Sequence, residues 1–528
     1  MMNRPLHRLR PRAGAVIVLG LLAAAAGRAA PADEAGPVAP TTAGRIRGYV
    51  DRGVDVFKGV PYGADTAAHR FQAPRPPAAW GGVRACLEFG PMAPQGGSRG
   101  GGLVSEDCLN LNVWTPGLGG GGRRPVLVYF HGGAYDSGTV NSDLYDGVNL
   151  CRRGNVVVVT VNHRLNGFGY LYLAELGGPE YADSGNAGML DLVLALRWVH
   201  DNIAAFGGDP GCVTIFGQSG GGAKCATLMA LPAARGLFQR VWTMSGQQLT
   251  GRTRAHATAT ARDVLRKLGV EPGHLEALQT LPRDRLIAAM RGETWTPVVD
   301  GTVLPRDPFA PDASPLSADV PMVLGNTHDE TTYLIGRGDP ALFHLTWAEL
   351  PEAIRQHVAN FIGGLSPDAI VADYRGWYPA DTPSDVFFAA TTAARSWKGM
   401  ELEAERRAAQ GGAATYVYYL YWRSPVDGGK WKAPHTLDIP LVFDNIASGA
   451  AQTGTGPDAQ AMADLMSAAL LALARTGNPG TPALPAWPRF NTSRRAAMIF
   501  DLPPRVEDDP RGAERRLFAP VTYVQPGT

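Results

Sequence analysis

The stretch Val213–Leu231, VTIFGQSGGGAKCATLMAL, constrains the fold of this chain more than any other. Its first four residues, β-branched or aromatic, read as a buried strand, and GGAKCATLMAL reads as a helix. Between them Gly217-Gln218-Ser219-Gly220-Gly221 fits the pattern G-x-S-x-G. That turn is so tight that glycines must flank the serine, and it lifts the hydroxyl above the carboxyl end of the strand. The pattern alone is weak in a chain with 65 Gly among 528 residues, and Gly96-Gly97-Ser98-Arg99-Gly100 fits it too. Ser98, however, sits in a glycine-rich loop with no strand before it and no helix after it. Ser219 has both, and is the candidate nucleophile.

The rest of the chain supplies a sheet for that turn to stand on. GRIRGYVDRGVDVFKGVPYG (44–63) alternates and turns at Asp51-Arg52-Gly53, the pattern of an antiparallel hairpin. LNLNVWTP, Val126–Phe130, Val156–Val161 and RVWTMSG are further strands, with others near Val323, Tyr418 and Ile499. Leu192, Leu196 and Val199 fall at helical spacing in one of the segments between them. Strands alternating with helices predict an α/β fold around a mostly parallel central sheet flanked by helices. There is no fixed-period repeat.

Lys+Arg number 49 and Asp+Glu 48, a net charge of +1, so no strong field draws nucleic acid or anionic lipid. Residues 1–32 have the order of a secretory signal peptide. Arg4, Arg8, Arg10 and Arg12 precede an apolar run, Ala13–Ala26, and Ala30-Pro31-Ala32 offers a cleavage site. The run is shorter than the ~20 residues that span a bilayer. The expectation is an exported protein, secreted or periplasmic, with no membrane partner after cleavage. Export permits disulfides. Of the five cysteines, Cys86 and Cys108 are the nearest pair outside the core elements, either bridged or free thiols. A bridge there would add about 3 kcal/mol.

A serine nucleophile needs a base, and the base needs an acid to orient it. On an elbow of this kind the chain order is Ser, acid, His. His344, His357 and His435 lie far enough downstream of Ser219. His357 falls on an amphipathic helix and His344 beside no strong strand. His435 lies in a loop leaving the strand TYVYYLYW, where a base is expected. The acid should also follow a strand, and VPMVLGNTHDE places Asp329 and Glu330 there without choosing between them. His131-Gly132-Gly133, directly after a strand, is similar to an HGGG-type motif. Its glycine amides, Gly132 and Gly133, with the amide of Gly220, are the expected oxyanion donors.

Taken together these residues resemble the type-B carboxylesterase/lipase family, which includes para-nitrobenzyl esterases and cholinesterases. FGGDPGCVTIFGQSGG (206–221) resembles the family's serine signature, and EDCLNLNVWTP (106–116) its second signature. NHRLNGFGYL, PVVDGTVLP and APHTLDIPLVF are also family-like, and the likeness runs from about Gly44 to the C-terminus. It implies an α/β-hydrolase fold over residues 33–528, one catalytic domain with loops and helices inserted around the site. It implies Glu330 rather than Asp329 as the acid, and a structural ion pair between Arg70 and Glu106. Some positions depart from the family. Gln218 replaces a common Glu, Gly220 a common Ala, and Ala93 the usual cysteine partner of Cys108, with Cys86 as its replacement. QGGSRGGGLVS carries no Trp to stack on a quaternary ammonium, which argues against choline esters.

The resemblance implies a serine esterase with a Ser219–His435–Glu330 triad, an acyl-enzyme, a small-molecule carboxylic ester substrate and no cofactor or metal. The rival readings are a lipase, an esterase for one natural product or xenobiotic, and a non-catalytic binding protein on the same fold. Trp295, Trp422 and Trp431 are candidate pocket lining. Nothing in the sequence marks an oligomeric state.

Overall fold

The computed structural model describes residues 36–96, 102–119, 121 and 123–526. The leader expected over residues 1–32 and the second serine match at Ser98 lie outside the described residues. From Pro37 onward the chain packs as one unit.

Its frame is an 11-stranded sheet. In chain order the strands are β1 (Tyr49–Asp51), β2 (Val54–Pro61), β3 (Asn110–Thr115), β4 (Arg124–Phe130), β5 (Val157–Val161) and β6 (Gly208–Gln218). The remainder are β7 (Arg240–Met244), β8 (Met322–Thr327), β9 (Thr415–Leu420), β10 (Ala496–Phe500) and β11 (Arg505–Asp508). In space they run β11-β10-β9-β8-β7-β6-β4-β5-β3-β2-β1. From β10 across to β5 every neighbour is parallel, while β11 and the run β3-β2-β1 are antiparallel. The expected hairpin is β1–β2, turning at Arg52 and Gly53 with φ values of 50° and 82°.

The central strands are buried on both faces, because helices cover each side. Alternation along β4 sorts the two cores: Val126, Val128 and Phe130 face one and Leu127 and Tyr129 the other. Helix Ala187–Asn202 adds Met189, Leu192, Leu196 and Val199 to the first core. Helix Pro457–Thr476 adds Met462, Met466 and Leu470 to the second. Each such side chain contributes about 1.5–3 kcal/mol on burial. Pro457 starts the second helix at a position whose N–H has no helical partner, and Gly477 ends it in the left-handed region at φ 76°.

One buried ion pair ties the first core together. Arg164, just beyond β5, donates from Nε and Nη2 to Asp191 of helix Ala187–Asn202 at 2.9 and 2.6 Å. Arg164 is 1 % exposed and Asp191 0 %. Replacing Asp191 by Ala should lower the unfolding free energy by about 3–5 kcal/mol, because it leaves a buried guanidinium unpaired. A melt within about 1 kcal/mol of wild type would refute this.

The alternative left open for the two cysteines falls on free thiols. Cys86 and Cys108 form no disulfide; both are buried free thiols. They sit in different surroundings. The Cys86 backbone pairs with Arg47 and Lys58 at the edge of a small sheet, whereas Cys108 lies near Asp191 and Arg164. Burial pushes the Cys86 thiol up to about 11 and Cys108 higher still, so neither is poised as a thiolate. The expected ion pair does form: Arg70 Nε and Nη2 donate to Glu106 at 2.8 and 2.7 Å.

Candidate active site

Five neighbouring parallel strands, β4, β6, β7, β8 and β9, deliver their carboxyl ends to one edge of the sheet, and every candidate residue follows one of them. This is where ligands bind in open α/β sheets.

Ser219 follows β6. Its backbone has φ 56° and ψ −126°, a conformation that L-residues rarely adopt. Its N–H donates to Met244 O of β7 at 2.7 Å, which holds the turn against the neighbouring strand. The flanking glycines are required by space. A Cβ on Gly217 would lie 2.5 Å from Gly221 O, and one on Gly221 would lie 2.0 Å from Phe130 O. A Cβ on Gly220 would lie 2.2 Å from Ala134 O, so an alanine has no room here.

Glu330 follows β8 and opens the short helix Glu330–Leu334. His435 lies in the loop between β9 and helix Asp438–Phe443. The two are brought together: Glu330 Oε2 meets His435 Nδ1 in a short hydrogen bond. Glu330 is fully buried and His435 6 % exposed. The other carboxylate oxygen, Oε1, accepts from Ser245 Oγ at 2.6 Å, Asn326 Nδ2 at 2.8 Å and Thr327 N at 2.9 Å. Burial alone would push this carboxyl up, but the imidazole and these donors outweigh burial and hold it below its ordinary value of 4.5. Asp329 points elsewhere, accepting from Ala433 N at 3.2 Å and facing His328 at 3.0 Å. His357 lies on helix Leu350–Ile362, and His344 ends the turn Pro340–His344.

Ser219 and His435 line one cavity of about 150 Å³. The serine hydroxyl makes no hydrogen bond among the described residues. Instead Gln218 Nε2 lies 3.1 Å from His435 Nε2. With Nδ1–H committed to Glu330, Nε2 is the acceptor that a serine proton requires, and an amide donor currently occupies it. Nucleophile–base bonds of this kind commonly tighten only when substrate arrives.

The loop after β4 brings backbone amides to the same place. Ala134 and Gly220 form part of the cavity wall, and a Cβ on Gly132 would touch Ser219 Cβ at 3.4 Å. Gly133 and Ala134 have φ values of 91° and 52°. Among the described residues the amides of Gly132, Gly133 and Ala134 donate to no acceptor. Gly220 is the first residue of helix Gly220–Leu228, so its N–H has no partner within the helix. Ala134 was not legible in the sequence, because an alanine gives no sign of a left-handed backbone.

Lys224 was also missed. It is fully buried in helix Gly220–Leu228 and donates from Nζ to His131 O at 3.1 Å and Ala134 O at 2.8 Å. It therefore ties the loop after β4 to the helix that follows Ser219. Burial pushes its ammonium down to about 7. Burial and the Lys224 charge push His131 down to about 3, so His131 stays neutral while stacked on His163 at 4.8 Å. A lone lysine in an otherwise apolar helix was the available signal. Asp438 is a second buried carboxyl, accepting from Tyr418 OH at 3.0 Å. Burial and the Glu330 charge push it up to about 7. Of the three tryptophans, Trp295 lines the cavity. Trp422 is core, and Trp431 packs on Phe343 at 5.4 Å.

Residues 35–518 match the model of the Carboxylesterase family. The chain is 32% identical over 509 residues to para-nitrobenzyl esterase of Bacillus subtilis (strain 168), covering 92% of this chain and 98% of that one. It is 33% identical over 501 residues to phenmedipham hydrolase of Pseudarthrobacter oxydans, covering 88% and 94%. Among solved structures, the Geobacillus stearothermophilus carboxylesterase EST55 superposes with a TM-score of 0.81 at 39% identity, over 91% of this chain and 99% of that one.

Proposed function

The chain belongs to the carboxylesterase family and is a carboxylic ester hydrolase of the α/β-hydrolase fold, and from that premise we propose that Ser219, His435 and Glu330 are its catalytic triad. What carries the proposal is the hydrogen bond between Glu330 and His435 at the wall of the cavity that also exposes Ser219.

In this reading the ester carbonyl sits over Ser219 and displaces the Gln218 amide from His435 Nε2. Ser219 Oγ attacks the carbonyl carbon and its proton passes to Nε2. Glu330 stabilises the imidazolium through Nδ1–H. The tetrahedral oxygen takes hydrogen bonds from Gly220 N–H and from the turn of Gly132, Gly133 and Ala134, each worth about 3 kcal/mol of barrier. The C–O bond then breaks, and the alcohol leaves with the proton from Nε2. Water, deprotonated by the same nitrogen, attacks the acyl-enzyme, releasing the acid and restoring Ser219. A cavity of about 150 Å³ holds a short acyl or alkoxy group better than a long chain, which favours an esterase over a lipase. The leader sequence of residues 1–32 supports export to the periplasm or medium.

Treatment with a dialkyl 4-nitrophenyl phosphate is the test. One equivalent should phosphorylate Ser219, located by peptide mass mapping, with activity lost in proportion. A label on another serine that abolishes activity would sink the assignment, and an unreactive, inactive protein would point to a binding role.

A further inference from the structure

We propose that Arg395 is the binding group for a carboxylate carried by the substrate, so that this enzyme prefers esters bearing one free carboxylate, on the acyl or the alcohol part, over their neutral counterparts. The inference rests on the esterase reading of the same cavity.

Arg395 lies in a π-helical turn, Ala393–Trp397, between helix Pro383–Thr392 and helix Lys398–Gln410. Such turns insert an extra residue into a helix and recur at functional sites. Here the turn brings Arg395 and Ser396 to the wall of the cavity that holds Ser219 and His435. The guanidinium has neither a hydrogen bond nor an ion pair among the described residues. The contact it does make is with the Phe361 ring, 6.0 Å from Cζ to the centroid.

The most deeply buried arginines are paired, whereas Arg395, like Arg406, is partly buried and has no partner among the described residues. Arg70, Arg164 and Arg511 each face a carboxylate, Glu106, Asp191 and Glu514. Arg407 donates to the carbonyls of Ser317 and Val320. A partly buried guanidinium with no protein acceptor leaves its five donors to water or to a ligand in the cavity. Burial holds Arg395 below its ordinary value; the carboxylate that counters this most strongly is Glu330, whose oxygens are already taken by His435, Ser245, Asn326 and Thr327. Among the described residues the cavity lining contains no acidic side chain, and Ala223, Trp295 and Leu334 contribute apolar wall. Among the described residues the site therefore has a cation, room beside Ser219 and no acidic side chain on its wall. A carboxylate matches the planar guanidinium fork, and their attraction is strengthened in an enclosed, poorly hydrated space.

The experiment compares pairs of equal size that differ in charge. For the alcohol part, 4-acetoxybenzoate is compared with 4-acetoxybenzamide; for the acyl part, monoethyl adipate is compared with its ω-amide. In the full-length enzyme, kcat/KM for the anionic member of at least one pair should exceed that of the neutral member by tenfold or more, and the ratio should shrink with added salt. Arg395→Met should bring that ratio to about one or below, and Arg395→Lys should restore part of it. The wild-type ratio is informative even if the variants misfold. Hydrolysis of both neutral esters with no preference in either pair overturns the inference and leaves the esterase reading intact. No hydrolysis of any of the four overturns both. A preference that survives Arg395→Met in a folded variant assigns it to another group and also overturns the inference.

Discussion

Replacing Ser219 by alanine is expected to lower kcat for an activated ester by about 10⁶-fold, because the residues of a triad act as a unit and the nucleophile has no substitute. The fold should be unaffected, since alanine and serine share the same backbone strain at φ 56°. The stored strain provides a second arm. Ser219→Gly should also abolish activity, yet it should stabilise the protein by about 1 kcal/mol, because glycine relaxes a conformation that costs any other residue more. Initial rates and thermal melts of the two variants test both statements. An alanine variant with more than about one per cent of wild-type kcat would remove Ser219 from the chemistry. A glycine variant less stable than the alanine variant would remove strain from the account of the turn.

Glu330→Gln should lower kcat by about 10⁴-fold with little change in fold. The physical reason lies in how the carboxylate is held. Ser245, Asn326 and Thr327 all donate to Oε1, so a glutamine would place its carbonyl oxygen there. Its amide NH₂ would then face His435 Nδ1, where Glu330 Oε2 now accepts. Nδ1 would have to become an acceptor, the proton would move to Nε2, and Nε2 could no longer take the proton of Ser219. The organophosphate reaction of this variant should slow in parallel, since it needs the same proton transfer. Near-wild-type kcat in Glu330→Gln, with Asp329→Asn inactive, would transfer the acid role to Asp329.

The central sheet was legible because each strand carries its own signal. A run such as Val157–Val161 is buried on both faces, so every residue must be apolar or small, and sequence shows this directly. The elbow was legible for a related reason: the closeness of Gly217 and Gly221 to backbone oxygens admits no side chain, and that exclusion is written as glycine. The two half-sites that meet across 105 residues, Glu330 and His435, were each visible as a polar residue just past a strand. Choosing Glu330 over its neighbour Asp329 needed the family likeness, because both follow the same strand.

What stayed hidden depends on contacts that no local pattern encodes. Two cysteines in one chain say nothing about whether their Cβ vectors converge, and those of Cys86 and Cys108 end in separate thiols. Lys224 reads as one charge on a helix until the fold sets two backbone carbonyls against its Nζ. Arg395 reads as one arginine among many until the π-turn leaves it facing the cavity with no acceptor among the described residues.

The sequence by itself determined the α/β class, the sheet's strands and the chemical identity of the serine, histidine and carboxylate, because periodicity, steric exclusion and residue type act over a few neighbouring positions. Only the tertiary structure decided which amides face the cavity and which charges are left unpaired. Those outcomes depend on distances between segments far apart in the chain, and such distances are fixed by how helices pack on the sheet.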